Sequence, residues 1–113
     1  MEWQLSSPLE NQNPDGDTAV VDLNLDATVT STWTFDVFSY EEPTLVALTV
    51  SMFRELGLLK KFAITGNTMT RFVEDVRASY RQNPYHNFRH AFDVTQVTSY
   101  HLKITLTRCR RAF

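Results

Sequence analysis

The feature that most narrows what this chain can fold into is a helical period in its apolar residues, which sets in only after residue 40. Leu45, Leu48, Met52, Phe53 and Leu56 stand at i, i+3, i+7, i+8 and i+11, which is one face of a helix. Glu41-Glu42-Pro43 supplies a start, because proline is tolerated in the first turn and acids there meet the positive end of the helix dipole. Gly57 supplies a stop, as a C′ residue free to turn left-handed. Leu58, Leu59, Phe62 and Ile64 then read as an apolar connector. Met69, Phe72, Val73, Val76 and Tyr80 repeat the period on a second helix that begins between Thr65 and Thr68, with Arg71, Glu74, Asp75 and Arg77 on its polar side. Asn83-Pro84 is expected to end it, since the residue before a proline avoids helical dihedrals. A third helix starts from Asn87 as N-cap and carries His90, Val94, Val97 and His101 along one stripe. Its end is open: Thr105 and Thr107 lower helix propensity, and Arg108-Cys109-Arg110-Arg111 reads as solvated. The expected fold class is all-α.

The residues ahead of these helices have a different character. Met1 to Phe53 contains no Lys or Arg, yet carries Glu2, Glu10, Asp15, Asp17, Asp22, Asp26, Asp36, Glu41 and Glu42. Residues 1–32 read as an acidic leader in which Pro8, Pro14, Gly16 and many polar residues break any period. The run Ala19 to Leu25 could form a short strand, but an isolated strand is unstable and no partner is evident, so disorder is the expectation. Trp33, Phe35, Val37 and Phe38 mark the change, an aromatic cluster suited to anchoring a segment on a core. Only about 80 residues are left to pack, and a domain that small buries only some 60% of its unfolded surface. The apolar faces would be easier to satisfy inside a larger bundle.

Several function classes are disfavoured by composition. With 113 residues and a formal charge of −2, the chain is at most one domain and lacks the basic excess of a dedicated nucleic-acid binder. The charge is uneven, because Lys103, Arg108, Arg110 and Arg111 follow Asp93 with no further acid. The single cysteine, Cys109, makes no internal disulfide. No stretch approaches the roughly 18 apolar residues of a membrane span. The acidic N-terminus has neither the basic-then-apolar order of a secretory signal nor the arginines of a mitochondrial one. A cytoplasmic protein is the expectation.

The segment Asn83-Pro84-Tyr85-His86-Asn87-Phe88-Arg89-His90-Ala91-Phe92-Asp93-Val94-Thr95-Gln96 carries the chemistry. Two histidines four apart at a turn-to-helix junction can share a metal, or one can bind metal while the other moves a proton. Asp93, three residues after His90, could orient a ligating imidazole. The plain structural reading stands beside this one: two ligands do not make a zinc site, which takes three or four, and no Cys or Glu lies close in sequence to complete one.

The pattern Tyr-His-Asn-x-x-His-Ala-x-Asp-Val-x-Gln, Tyr85 to Gln96, resembles the signature near the start of the class I cyclic-nucleotide phosphodiesterase catalytic domain. Phe35-Asp36-Val37-Phe38, Leu56-Gly57-Leu58-Leu59 with Phe62 and Ile64, and Tyr80 with Asn83-Pro84 resemble its flanks in order and spacing, so the similarity runs from about Trp33 to Tyr100. The resemblance implies the first helices of an all-helical catalytic domain and a two-metal site, zinc plus magnesium or manganese, that hydrolyses cAMP or cGMP. It implies that His86 is the general acid protonating the departing 3′ oxygen, that His90 is a ligand of the tightly held metal, and that Tyr85 lines the nucleotide pocket. Asn87 is then a capping residue, and Asp93 and Gln96 are supporting ones, with Asp93 the better candidate to steady a ligand.

This sequence also departs from the family's pattern. The His-Asp pair, the further Asp and the base-gripping glutamine that complete the family's site have no counterpart here, and the residues after Tyr100 do not continue its apolar helix. A frameshift, a retained intron, an alternative exon or a genuine short isoform would each explain that. The isolated chain is expected to be inactive and to hold neither metal stably. Two other readings are open: a non-catalytic regulator that docks on a full-length phosphodiesterase through an exposed Leu45/Leu48/Met52 face, and a small helical domain that binds acidic partners through its Arg tail.

Overall fold

A computed structural model describes residues 27–112. The expected disorder of residues 1–26, and the strand considered at Ala19 to Leu25, lie outside the described residues. Two short 3-10 helices, Ala27–Ser31 and Val37–Ser39, precede four α-helices: α1 Glu42–Glu55, α2 Leu58–Lys61, α3 Gly66–Ser79 and α4 Phe88–Ala112. The fold is all-α, with no strand among the described residues.

Helix α1 is the axle. It begins with Pro43 in the first turn and ends on Gly57, whose φ of 77° is the left-handed C′ conformation and whose N–H donates to the Arg54 carbonyl. Every residue from Leu45 to Met52 is buried, because α1 packs against α2, α3, α4 and the first 3-10 helix at once. The sequence shows one apolar face, but small or apolar residues also fill the others, and a helix without a charged face is a buried one. Leu45, Leu48 and Met52 are therefore not an exposed docking face; at no more than 1% exposure they are the centre of the core.

Around that axle several boundaries move. The connector after Gly57 is one turn of helix, α2, that buries Leu59 and leaves Phe62 exposed. Thr65 caps α3 by accepting from the Thr68 N–H, and Met69 and Val73 face the core. Helix α3 stops at Ser79, four residues before Asn83, because Tyr80 turns out to an extended conformation and lays its ring edge-on to Phe88, 6.2 Å away. Phe72, the other aromatic of the α3 stripe, is 60% exposed.

Residues ahead of Trp33 also pack on the core. The Ala27–Ser31 helix, expected to belong to the leader, packs on α1 and α4, and Thr30 is buried. What holds it is Gln96, a buried amide whose Nε2 donates to the carbonyls of Thr30 and Thr32 at 2.8 and 2.9 Å. Of the aromatic cluster, Phe35 stacks on Tyr40 and packs against Phe92, and Val37 is buried, whereas Trp33 and Phe38 stay mostly exposed. Helix α4 runs on through Ala112 despite its threonines. Thr95, Thr98 and Thr107 each turn the hydroxyl back to the carbonyl four residues earlier, which satisfies it inside the helix.

Candidate active site

The site is built at the point where the Tyr80–Asn87 loop becomes α4. Asn87 does two jobs there. Its Oδ1 accepts the His90 N–H at 3.0 Å, the N-cap bond, and its Nδ2 donates back to the Asn83 carbonyl at 3.0 Å. Asn83 in turn donates to the His86 carbonyl at 3.3 Å, and the Asn87 N–H reaches the Tyr85 carbonyl. These bonds tie a loop without regular structure to a helix end, so Tyr85 and His86 keep a defined place beside His90.

Three rings meet as a result. Tyr85 lies 4.7 Å from the His90 ring and 4.9 Å from the His86 ring, centroid to centroid, and the two imidazoles are 5.6 Å apart, nearly perpendicular. His86 is not helical, so the pair is brought together by the loop brace and not by an i, i+4 helix face. Tyr85 is 67% exposed and His86 is exposed, while His90 is half-buried. Tyr85 and His90, with Phe38, Asn87, Arg89 and Asp93, border a groove of about 250 Å³. Asp93 is exposed on its rim and makes no hydrogen bond to His90. Gln96 lies away from the rings, sealed against the 27–32 segment.

Sequence reasoning passed over Arg89. Its guanidinium donates to the carbonyls of Val37, at 3.0 Å, and Tyr40, closing the end of the second 3-10 helix onto the start of α4. A signal was present: an arginine in the first turn sits at the positive end of the helix dipole, where a cation is unfavourable unless something else holds it. The carbonyls hold it, and they fix the groove wall formed by Val37 and Phe38 next to His90.

Over 66 residues, 58% of its length, the chain is 50% identical to the 3',5'-cyclic-nucleotide phosphodiesterase regA of Dictyostelium discoideum. The chain thus carries a segment similar to 3',5'-cyclic-nucleotide phosphodiesterases. The mouse high affinity cGMP-specific 3',5'-cyclic phosphodiesterase 9A is 42% identical over 64 residues, and the dual 3',5'-cyclic-AMP and -GMP phosphodiesterase 11A of Takifugu rubripes is 44% identical over 62. The matched stretch spans only 8%, 12% and 7% of these three relatives. No family model matches the chain, and no solved structure does.

Two imidazoles beside a phenol can donate and accept protons and can each offer a metal one nitrogen donor. They fit part of a metal site. Among the described residues no group of three or more His, Cys, Asp or Glu is placed to hold an ion. No helix of the described residues is long and apolar enough to cross a membrane.

Proposed function

We propose that the segment serves, in the complete protein, in metal-assisted hydrolysis of cAMP, cGMP or both to the 5′-monophosphate, as part of cyclic-nucleotide signalling. The supporting observation is the cluster of Tyr85, His86 and His90, of which Tyr85 and His90 border an open groove, braced by Asn87 and Arg89. In this reading His86 protonates the departing 3′ oxygen. Its exposure lets the ring reach a bound nucleotide, and its neighbours fix its backbone without occupying its nitrogens. His90 offers one nitrogen to a divalent metal, Tyr85 forms a wall for the nucleotide, and Asp93, one turn along α4 on the same groove, would act as the supporting carboxylate. Zinc with magnesium or manganese would supply neutralisation of charge on the phosphoryl oxygens. Their other ligands would come from outside residues 27–112. The 113-residue polypeptide alone is therefore expected to be inactive. Docking onto a second phosphodiesterase through Leu45, Leu48 and Met52 has no support, because those side chains are core.

The test is a graft. Residues 33–100 replace the matching stretch of the Dictyostelium regA enzyme, and hydrolysis is assayed with cAMP and cGMP. An active chimera that loses about 10²–10⁴-fold in kcat on His86→Ala, and loses bound metal on His90→Ala, supports the roles assigned. An active chimera indifferent to both substitutions overturns them.

A further inference from the structure

We propose that the acidic residues 1–26 dock intramolecularly along the basic C-terminal half of α4, in the two grooves that flank it, as a salt-sensitive latch. Three observations converge on this. The first is direction. As the chain is followed backwards from residue 37, its contacts shift from the first turn of α4 toward its middle: Val37 on Arg89, Phe35 on Phe92, Trp33 on Tyr100 and His101, and Ser31 on Lys103, with Thr30 and Thr32 both on Gln96. Ser31, on Lys103, reaches furthest along α4, and the stretch Leu106 to Arg111 lies just beyond it. The second is shape. Two grooves of about 400 and 310 Å³ lie along that stretch, one beside Leu106 and Arg110, the other beside Ile104 and Arg111, and Ser31 borders both.

The third is charge. Residues 1–26 hold Glu2, Glu10, Asp15, Asp17, Asp22 and Asp26 and no Lys or Arg, whereas the chain after Asp93 holds Lys103, Arg108, Arg110 and Arg111 and no acid. Lys103 is already paired with Glu55 and bonded to Ser31. Arg108, Arg110 and Arg111 are exposed and make no ion pair among the described residues. Leu106 is 48% exposed between them, and Leu23 and Leu25 alternate with Asp22, Asn24 and Asp26 just upstream of the path. A tether of so few residues presents its carboxylates at an effective concentration on the order of millimolar, so even weak pairs act. The acidic partner that the Arg tail would attract is thus a segment of the same chain.

The experiment uses the full 113-residue chain with Cys109→Ser and Asn24→Cys, a nitroxide on the new thiol, and amide intensities by NMR. At ~0.05 M salt the amides of residues 104–111 should broaden well beyond those of exposed α3 positions. The effect should vanish at ~1 M salt, where the Debye length falls to about 3 Å. It should also vanish in Arg108→Glu/Arg110→Glu/Arg111→Glu, and return when Asp22→Lys and Asp26→Lys are added to that variant. Broadening spread evenly over the surface, or unchanged by the charge reversal, overturns the latch. So does broadening of labelled, nitroxide-free chains mixed with unlabelled nitroxide-bearing ones, which would mean contact between copies.

Discussion

On one side of α4, Phe88, Phe92, Gln96 and Ser99 are all but sealed from solvent. On the other, within the same turns, His90 and Asp93 border an open groove and Val94 is half exposed. The buried side makes the contacts that fold the chain: Phe92 on Phe35, Phe88 on Tyr80, and the Gln96 amide on two carbonyls of the 27–32 segment. The open side makes ring contacts among its own residues and few bonds to the rest. One helix thus separates the work. Its packed face determines where His90 stands, and its open face keeps polar side chains within reach of solvent.

Substitutions can test that separation, and the sharpest is at the core. Phe92→Ala should destabilise the chain by about 3–5 kcal/mol, the range for an aromatic truncated in a packed interior. For so small a domain that means loss of the cooperative thermal transition by circular dichroism. Next is Gln96→Ala, which removes the buried amide donor to the Thr30 and Thr32 carbonyls and should cost about 1–3 kcal/mol in urea denaturation. Fast hydrogen exchange at residues 27–32 would show that the amide is what secures them. Arg89→Met removes a charged donor from two carbonyls at a partly buried place and should cost about 1–2 kcal/mol, with Phe38 and Tyr85 resonances shifting together. Gly57→Ala meets no neighbour, so only its left-handed φ is penalised, by about 1 kcal/mol. The smallest effect belongs to the site: His86→Ala should leave stability within about 0.5 kcal/mol, as an exposed side chain outside the bonded framework. If it instead unfolds the chain as Phe92→Ala does, the division between the two faces is wrong and the rings are structural.

The core helices were legible because their periods are local. The Leu45 to Leu56 spacing, Pro43 and Gly57 located α1, and the Asn87 cap located the start of α4. Of the candidate site, the sequence named Tyr85, His86 and His90, and the structure brings their rings together. Less accessible were positions where a distant partner overrides local preference. Tyr80 leaves α3 before the proline signal because Phe88 offers its ring a better contact. Phe38, counted among the anchors, is 81% exposed, because Phe35 and Val37 already take the interior side.

What the sequence by itself determined is the fold class and the helix starts, set by dihedral preference, capping and apolar spacing within a few residues. What only the tertiary structure decided is which faces are covered. It put Leu45, Leu48 and Met52 inside, gave Gln96 the task of holding the 27–32 segment, and set Arg89 under the groove wall. Those assignments depend on partners some 50 to 66 residues apart in the chain, as for Tyr40 with Arg89 and Thr30 with Gln96. Burial is a property of the packed whole, and no local pattern specifies which neighbour arrives.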